Sequence, residues 1–215
     1  VTPICLGTMT FGEQVNQTDA HQILAHSLAR GVNFLDSVEM YAVPPKAETF
    51  NATETIIGNW MKARGNRDRI SIATKVGGET GEHGIDASRK HIMETVEKSL
   101  KRLQTDYIDL YYLHFDDSTT PVEETLSAFH ELVKSGKVKE IGVSNISPER
   151  LKTSLEFSDK NNLAKYQALQ PLYNLVERKD YETDYAPIVA EHGLTVFPYY
   201  ALASGFFNRK ISVRE

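Results

Sequence analysis

From Ile4 onward the chain alternates short unbroken apolar runs with longer stretches in which apolar residues recur every three or four positions. The second pattern marks amphipathic helices. It predicts a helix over residues 19–30, with Ala20, Ile23, Leu24 and Leu28 on one face, Thr18 or Asp19 as N-cap and Gly31 as the stop. Further helices are predicted over residues 53–63, 88–103, 121–133, 148–157 and 184–192, the last ended by Gly193. Ile56, Ile57, Trp60 and Met61 share one face of the second, so Trp60 reads as core. The apolar runs at 4–6, 32–36, 70–75, 107–114, 140–144, 168–170 and 194–200 read as strands.

Those runs are continuous rather than alternating, as expected of strands buried on both faces in a parallel sheet covered by helices. Seven strand–helix repeats fit a (β/α)8 TIM barrel better than a doubly wound sheet, and no Gly-x-Gly-x-x-Gly follows the first strand. No eighth strand is legible. Residues 1–215 are therefore expected to form a single (β/α)8 barrel domain that lacks its C-terminal strand and helix. Its first and seventh strands would be unpaired edges, an aggregation liability, so a C-terminally shortened form of a longer protein is expected. Opening on Val1 rather than methionine suggests missing residues upstream as well. Residues 77–84 hold four glycines and no apolar side chain, which predicts a mobile loop.

The strand ends carry the chemistry. Strands two to seven close on Asp36, Lys75, His114, Ser144, Gln170 and Tyr199. In a parallel barrel these ends lie on one rim, where the active sites of this fold sit. Asp36 accepts hydrogen bonds and Lys75 donates them, so the two can neutralise each other in a dry site. Tyr41, five residues beyond Asp36, adds a phenol. A neighbouring cation favours the phenolate, so Lys75 is expected to lower the Tyr41 pKa and make it a workable general acid. His114 can hydrogen-bond the same substrate oxygen. The cluster implies no metal and no water nucleophile: it protonates an oxygen while something else attacks carbon.

Composition narrows the partners. The 215 residues are 40 % hydrophobic and 25 % charged, with a net charge of −5, which argues against a nucleic-acid surface. The single cysteine, Cys5, forms no intrachain disulfide and fits a cytoplasmic protein. No apolar run reaches the roughly 20 residues of a membrane span, and no secretory signal pattern is present. A small molecule is the partner such a rim suits, and oligomeric state leaves no trace in the pattern.

Gly7-Thr8-Met9, Asp36 with Tyr41, Lys75 in Ile-Ala-Thr-Lys, and the run from Arg102 to His114 together resemble an aldo-keto reductase. So do Gly142-Val-Ser-Asn145, Gln170-Pro-Leu-Tyr-Asn174 and Tyr199-Tyr-Ala-Leu202. Residues 6–14 and 39–45 look closer still to the bacterial Tas-like branch. The resemblance runs in order from Ile4 to about Gly205. It implies a catalytic tetrad of Asp36, Tyr41, Lys75 and His114, with Ser144, Asn145 and Gln170 on a nicotinamide carboxamide. It also implies Tyr199 stacked on the nicotinamide, with Gly7, Thr8, Met9, Asp36, Leu202 and Ser204 along the cofactor. NADPH is expected over NADH by resemblance alone, as the hydride source for reducing an aldehyde or ketone.

Two departures matter. Phe115 stands where many relatives have tryptophan, which alters the carbonyl pocket. The family's eighth strand and the helix after it, with most contacts to the adenosine 2′-phosphate, are absent; Arg209, Lys210 and Arg214 are read as a solvated tail. Two alternatives compete: a non-catalytic nicotinamide-binding regulatory subunit on the same barrel, and a lyase forming a Schiff base on Lys75. The complete tetrad opposes the first. Asp36, by keeping Lys75 protonated, opposes the second.

Overall fold

The computed structural model describes residues 2–79 and 84–208. Seven strands, β1 (Cys5–Gly7), β2 (Phe34–Asp36), β3 (Ser71–Val76), β4 (Ile108–Leu113), β5 (Val138–Ser144), β6 (Tyr166–Gln170) and β7 (Thr195–Val196), form one sheet. All neighbours are parallel and spatial order equals chain order. Between them run α1 (Gln17–Ala29), α2 (Ala52–Arg64), α3 (Arg89–Leu103), α4 (Val122–Lys134), α5 (Pro148–Asn161) and α6 (Ala186–His192). Each parallel pair needs a crossover, and helices supply it. This is a curled (β/α)8 arrangement with no eighth strand among the described residues. Residues 80–83, within the predicted mobile loop, and Arg209, Lys210 and Arg214 lie outside the described residues. Among the described residues no helix is long and apolar enough to cross a membrane.

Local chemistry fixes the helix ends. Ser88 and Ser147 cap α3 and α5 by accepting from the amides of His91 and Arg150. Gly193, at φ 68°, stops α6 in the left-handed region. Several boundaries differ from the sequence expectation by a few residues, among them the end of α5 at Asn161 and the start of β5 at Val138, and two differences have a clear local cause. Asn16, rather than Thr18 or Asp19, caps α1, its side chain accepting from the Asp19 amide at 3.0 Å and donating to the Asp19 carboxylate at 2.8 Å. The seventh strand shrinks to two residues because Pro198 has no N–H for the ladder. Its edge continues only through Phe197 N–H to Leu169 O and Tyr199 N–H to Pro171 O, both 3.0 Å.

The two-residue period of the strands sorts side chains into two layers. Leu35, Ile72, Tyr111, Leu113, Ile141, Val143 and Leu169 face the helices, where Ile57, Trp60, Ile92, Val96, Leu126 and Phe129 pack on them. Phe34, Ala73, Leu110, Tyr112 and Ala168 form the smaller inner cluster, joined by Phe197. A Cβ at Gly142 would lie 2.6 Å from the Tyr112 ring, so the missing side chain leaves that ring its place across the interior. Helices α2 and α3 approach just as closely: a Cβ at Gly58 would sit 2.2 Å from the Arg102 carbonyl oxygen.

Candidate active site

The same period carries the inner face onward to the strand ends. Asp36 follows Phe34 by two residues, Lys75 follows Ala73, His114 follows Tyr112, Ser144 follows Gly142 and Gln170 follows Ala168. Five of the six predicted strand-end residues thus point inward at one rim by parity. Tyr199 arrives differently, as a bridge to Leu172 beyond β7.

Lys75 is 1 % exposed and donates to Asp36 Oδ2 at 2.6 Å and to the Ser37 carbonyl at 2.9 Å. The other Asp36 oxygen accepts from Gln170 Nε2 at 3.0 Å. From Gln170 the network continues: its carbonyl accepts from Ser144 Oγ at 2.7 Å, and Ser144 Oγ accepts from Asn145 Nδ2 at 3.0 Å. Asn145, at φ 44°, also donates to the His114 carbonyl at 2.9 Å and accepts from the Tyr199 hydroxyl at 3.2 Å. One hydrogen-bonded chain therefore joins Lys75 to Tyr199 across the rim. The Gln170–Asp36 bond spans 134 positions and had no signature in the sequence.

His114 meets Tyr41 edge-on, with ring centroids 6.5 Å apart, and Phe115 at 4.4 Å. Burial foremost, and then the Lys75 charge, lowers the His114 pKa to about 3, so the imidazole is neutral at ordinary pH. Its Nδ1 is buried and makes no hydrogen bond within the protein. The Tyr41 phenol differs from the sequence expectation. Its pKa is raised, by burial first and then by Asp36, Tyr200 and Tyr199, rather than lowered by Lys75. The reason is local neutralisation: the Lys75 charge is tied to Asp36, leaving desolvation to decide the sign.

These groups border a cavity of about 1200 Å³ that also touches Gly7, Thr8, Met9, Ser144, Asn145, Gln170 and Tyr199. Lys75 sits behind Asp36 and does not line it. Leu202 and Ser204 also lie outside it, Leu202 exposed and Ser204 at a left-handed φ of 51°. Sequence reasoning missed Met40, Glu79, Phe197 and Tyr200, which line the same space; adjacency to Tyr41 and Tyr199 was the available signal for two of them. A second cavity, about 420 Å³, lies against Asn145 and Tyr199 near the start of α5 and holds none of the four tetrad residues.

The arrangement fits a flat, amide-bearing ligand. Gly7 lines the cavity, and a Cβ there would meet nothing within 4 Å, so backbone is open to a ligand. The Tyr199 ring is held by its hydroxyl, and Gln170 and Asn145 bring amide groups to the same wall. No lysine or arginine lines the cavity among the described residues.

Fold and rim together define a (β/α)8-barrel protein with a hydrogen-bonded polar cluster beside a cavity at the C-terminal ends of its strands. The chain belongs to the aldo/keto reductase family, whose sequence model matches residues 3–213. It is 37 % identical to Protein tas of Escherichia coli (strain K12), over 98 % of this chain and 67 % of that protein. It is 36 % identical to the aldo-keto reductase YhdN of Bacillus subtilis (strain 168), over 96 % of this chain and 58 % of that protein. Among solved structures, the holo form of aldo-keto reductase AKR11C1 from Bacillus halodurans superposes with a TM-score of 0.80 at 32 % identity. That match covers 95 % of this chain and 64 % of the other, so the chain spans roughly three fifths of these relatives.

Proposed function

We propose that this protein reduces an aldehyde or ketone to an alcohol, with Tyr41 as proton donor and a nicotinamide cofactor, NADPH by family resemblance, as co-substrate. A bound reduced nicotinamide supplies the hydride; the protein supplies position and the proton. The observation that carries the reading is the buried Lys75–Asp36 pair beside a neutral His114 and a protonated Tyr41 on one cavity.

A raised phenol pKa keeps the Tyr41 proton in place until a carbonyl oxygen gains charge. His114 donates a hydrogen bond to that oxygen and, being neutral, does not compete as an acid. Asp36 engages the Lys75 ammonium at 2.6 Å, which opposes a Schiff-base role for that amine. Ser144, Asn145 and Gln170 hold the carboxamide, Tyr199 offers its face to the ring, and Gly7 leaves backbone open to the rest, with Thr8 and Met9 beside it on the cavity wall. Leu202 and Ser204 keep their assignment along the cofactor on family resemblance alone.

The test is single-turnover oxidation of NADPH by an aromatic aldehyde in the full-length protein, comparing wild type with Tyr41→Phe. The variant keeps shape and loses the acid, so the rate should fall by roughly 10²-fold or more, as for general acid catalysis. Cofactor affinity, followed by nicotinamide fluorescence, should barely move. Near-normal turnover in Tyr41→Phe would remove Tyr41 from the mechanism.

A further inference from the structure

Met40, Glu79 and Phe115 line the large cavity but take no part in the proton transfer or the cofactor contacts assigned above. Phe115 packs on the His114 ring with centroids 4.4 Å apart, and Tyr41 stands edge-on to the same ring. Met40 and His114 both press on the Gly78 backbone: a Cβ there would sit 2.8 Å from Met40 Sδ and 3.0 Å from His114 Nδ1. A thioether and a phenyl ring thus neighbour the two groups that meet the carbonyl oxygen, which suits a substrate with an apolar body.

Glu79 follows Gly78 directly, so its Cα stands about 3.8 Å from that of the glycine packed on Met40 and His114. It is exposed, lines the cavity, and makes no hydrogen bond or ion pair with any described residue. The other carboxylate on the wall, Asp36, is already engaged by Lys75 at 2.6 Å and by Gln170 at 3.0 Å. The His114 imidazole is neutral, and no lysine or arginine lines the cavity among the described residues. Among those residues the wall therefore carries one uncompensated charge, and it is negative.

We propose that Glu79 sets the charge selectivity of this site: it favours aldehydes or ketones with an apolar body and a cationic tail over their carboxylate counterparts. The inference rests on the reductase reading above, which puts the carbonyl oxygen at Tyr41 and His114. A substrate held there has Met40 and Phe115 for neighbours, and Glu79 lies one residue past the Gly78 contact. At a separation of about 8 Å and a dielectric between those of protein and water, attraction or repulsion changes affinity roughly fivefold in either direction. Exposure to solvent trims this, so the cation-to-anion preference due to Glu79 is roughly tenfold at low salt.

The experiment measures kcat/KM in the full-length protein at saturating NADPH for two aldehydes of similar shape, para-(dimethylaminomethyl)benzaldehyde and para-carboxybenzaldehyde. The ratio of ammonium to carboxylate substrate should be roughly tenfold higher in wild type than in Glu79→Gln, and Glu79→Lys should lower it further. A ratio taken within each variant cancels any general loss of activity, and comparing variants cancels the electronic effects of the substituents. Raising sodium chloride from about 0.02 M to about 0.5 M should compress the wild-type ratio toward that of Glu79→Gln, because salt screens an exposed charge. A ratio unchanged in Glu79→Gln, or indifferent to salt in wild type, overturns the proposal. Titration with para-(aminomethyl)benzyl alcohol and para-carboxybenzyl alcohol, read by tyrosine fluorescence, gives the same selectivity without turnover. Wild type should bind the ammonium compound more tightly, and equal affinities overturn the proposal. Absence of hydride transfer to both aldehydes would instead sink the reductase reading, and the titration would still decide the role of Glu79.

Discussion

Replacing Asp36 by alanine removes the carboxylate that pairs with Lys75, whose side chain is 1 % exposed. What remains is the hydrogen bond to the Ser37 carbonyl at 2.9 Å, which neutralises no charge. Breaking a buried pair by deleting one partner costs about 3–5 kcal/mol. The Asp36 side is 16 % exposed, so water reaches part of the gap and the lower end, about 3 kcal/mol, is expected. For a chain of this size each kcal/mol moves Tm by about 2–4 °C, which makes the shift about 6–12 °C. Adding Lys75→Met removes the stranded cation, so the double variant should be more stable than Asp36→Ala alone. Urea unfolding followed by circular dichroism, with unchanged m-values, completes the cycle. Additive single and double variants, or an Asp36→Ala shift under about 2 °C, would refute the buried-pair argument.

His114 should give folding stability a pH dependence of known sign. Its pKa falls from 6.5 to about 3 on folding, so between those values the unfolded chain binds a proton that the folded protein does not. The contribution is complete above about 6.5 and lost as pH falls toward 3; His114→Gln should flatten the stability–pH slope there, and ring resonances of wild type should still be neutral at pH 5. Gly58→Ala opposes two effects. Helix propensity favours alanine by roughly 1 kcal/mol, but the new Cβ would lie 2.2 Å from backbone, the Arg102 carbonyl. Overpacking costs about 1–3 kcal/mol, so a net loss is expected in urea unfolding, and a gain would mean that α2 and α3 separate freely.

Sequence patterning was most legible where one interaction dominates. Helix α3 carries buried Ile92, Val96, Leu100 and Leu103 at helical spacing behind a Ser88 cap, and it starts and ends where that pattern says. The inward set of Asp36, Lys75, Ser144 and Gln170 follows from alternation along strands whose ends were visible as apolar runs. The seventh strand was overread because apolar continuity hid the effect of Pro198 on the ladder. For Tyr41, proximity to a cation was inferable but the depth of burial was not, and burial decided the direction. Leu202 fell away from the cavity for a related reason: its placement depends on the chain path after the left-handed turn at Tyr200, φ 52°, which no local apolar pattern encodes.

This sheet, whose spatial order repeats its chain order, has long strands in its middle and short ones at both margins, β1 and β2 with three residues each and β7 with two. β4 and β5 are flanked on both sides by strands of five to seven residues, whereas β7 offers two residues and a proline. Amide exchange should follow that gradient, with opening free energies highest at Tyr112 and Val143 and lowest beyond Val196. The cavity straddles the gradient: His114 and Ser144 stand at the ends of the long interior strands, Asp36 at the end of the three-residue β2 and Tyr199 beyond β7. A ligand bridging both would draw its binding free energy partly from damping the edge, so occupancy should register as slowed exchange at Phe197 and Tyr199 before it registers at the tetrad.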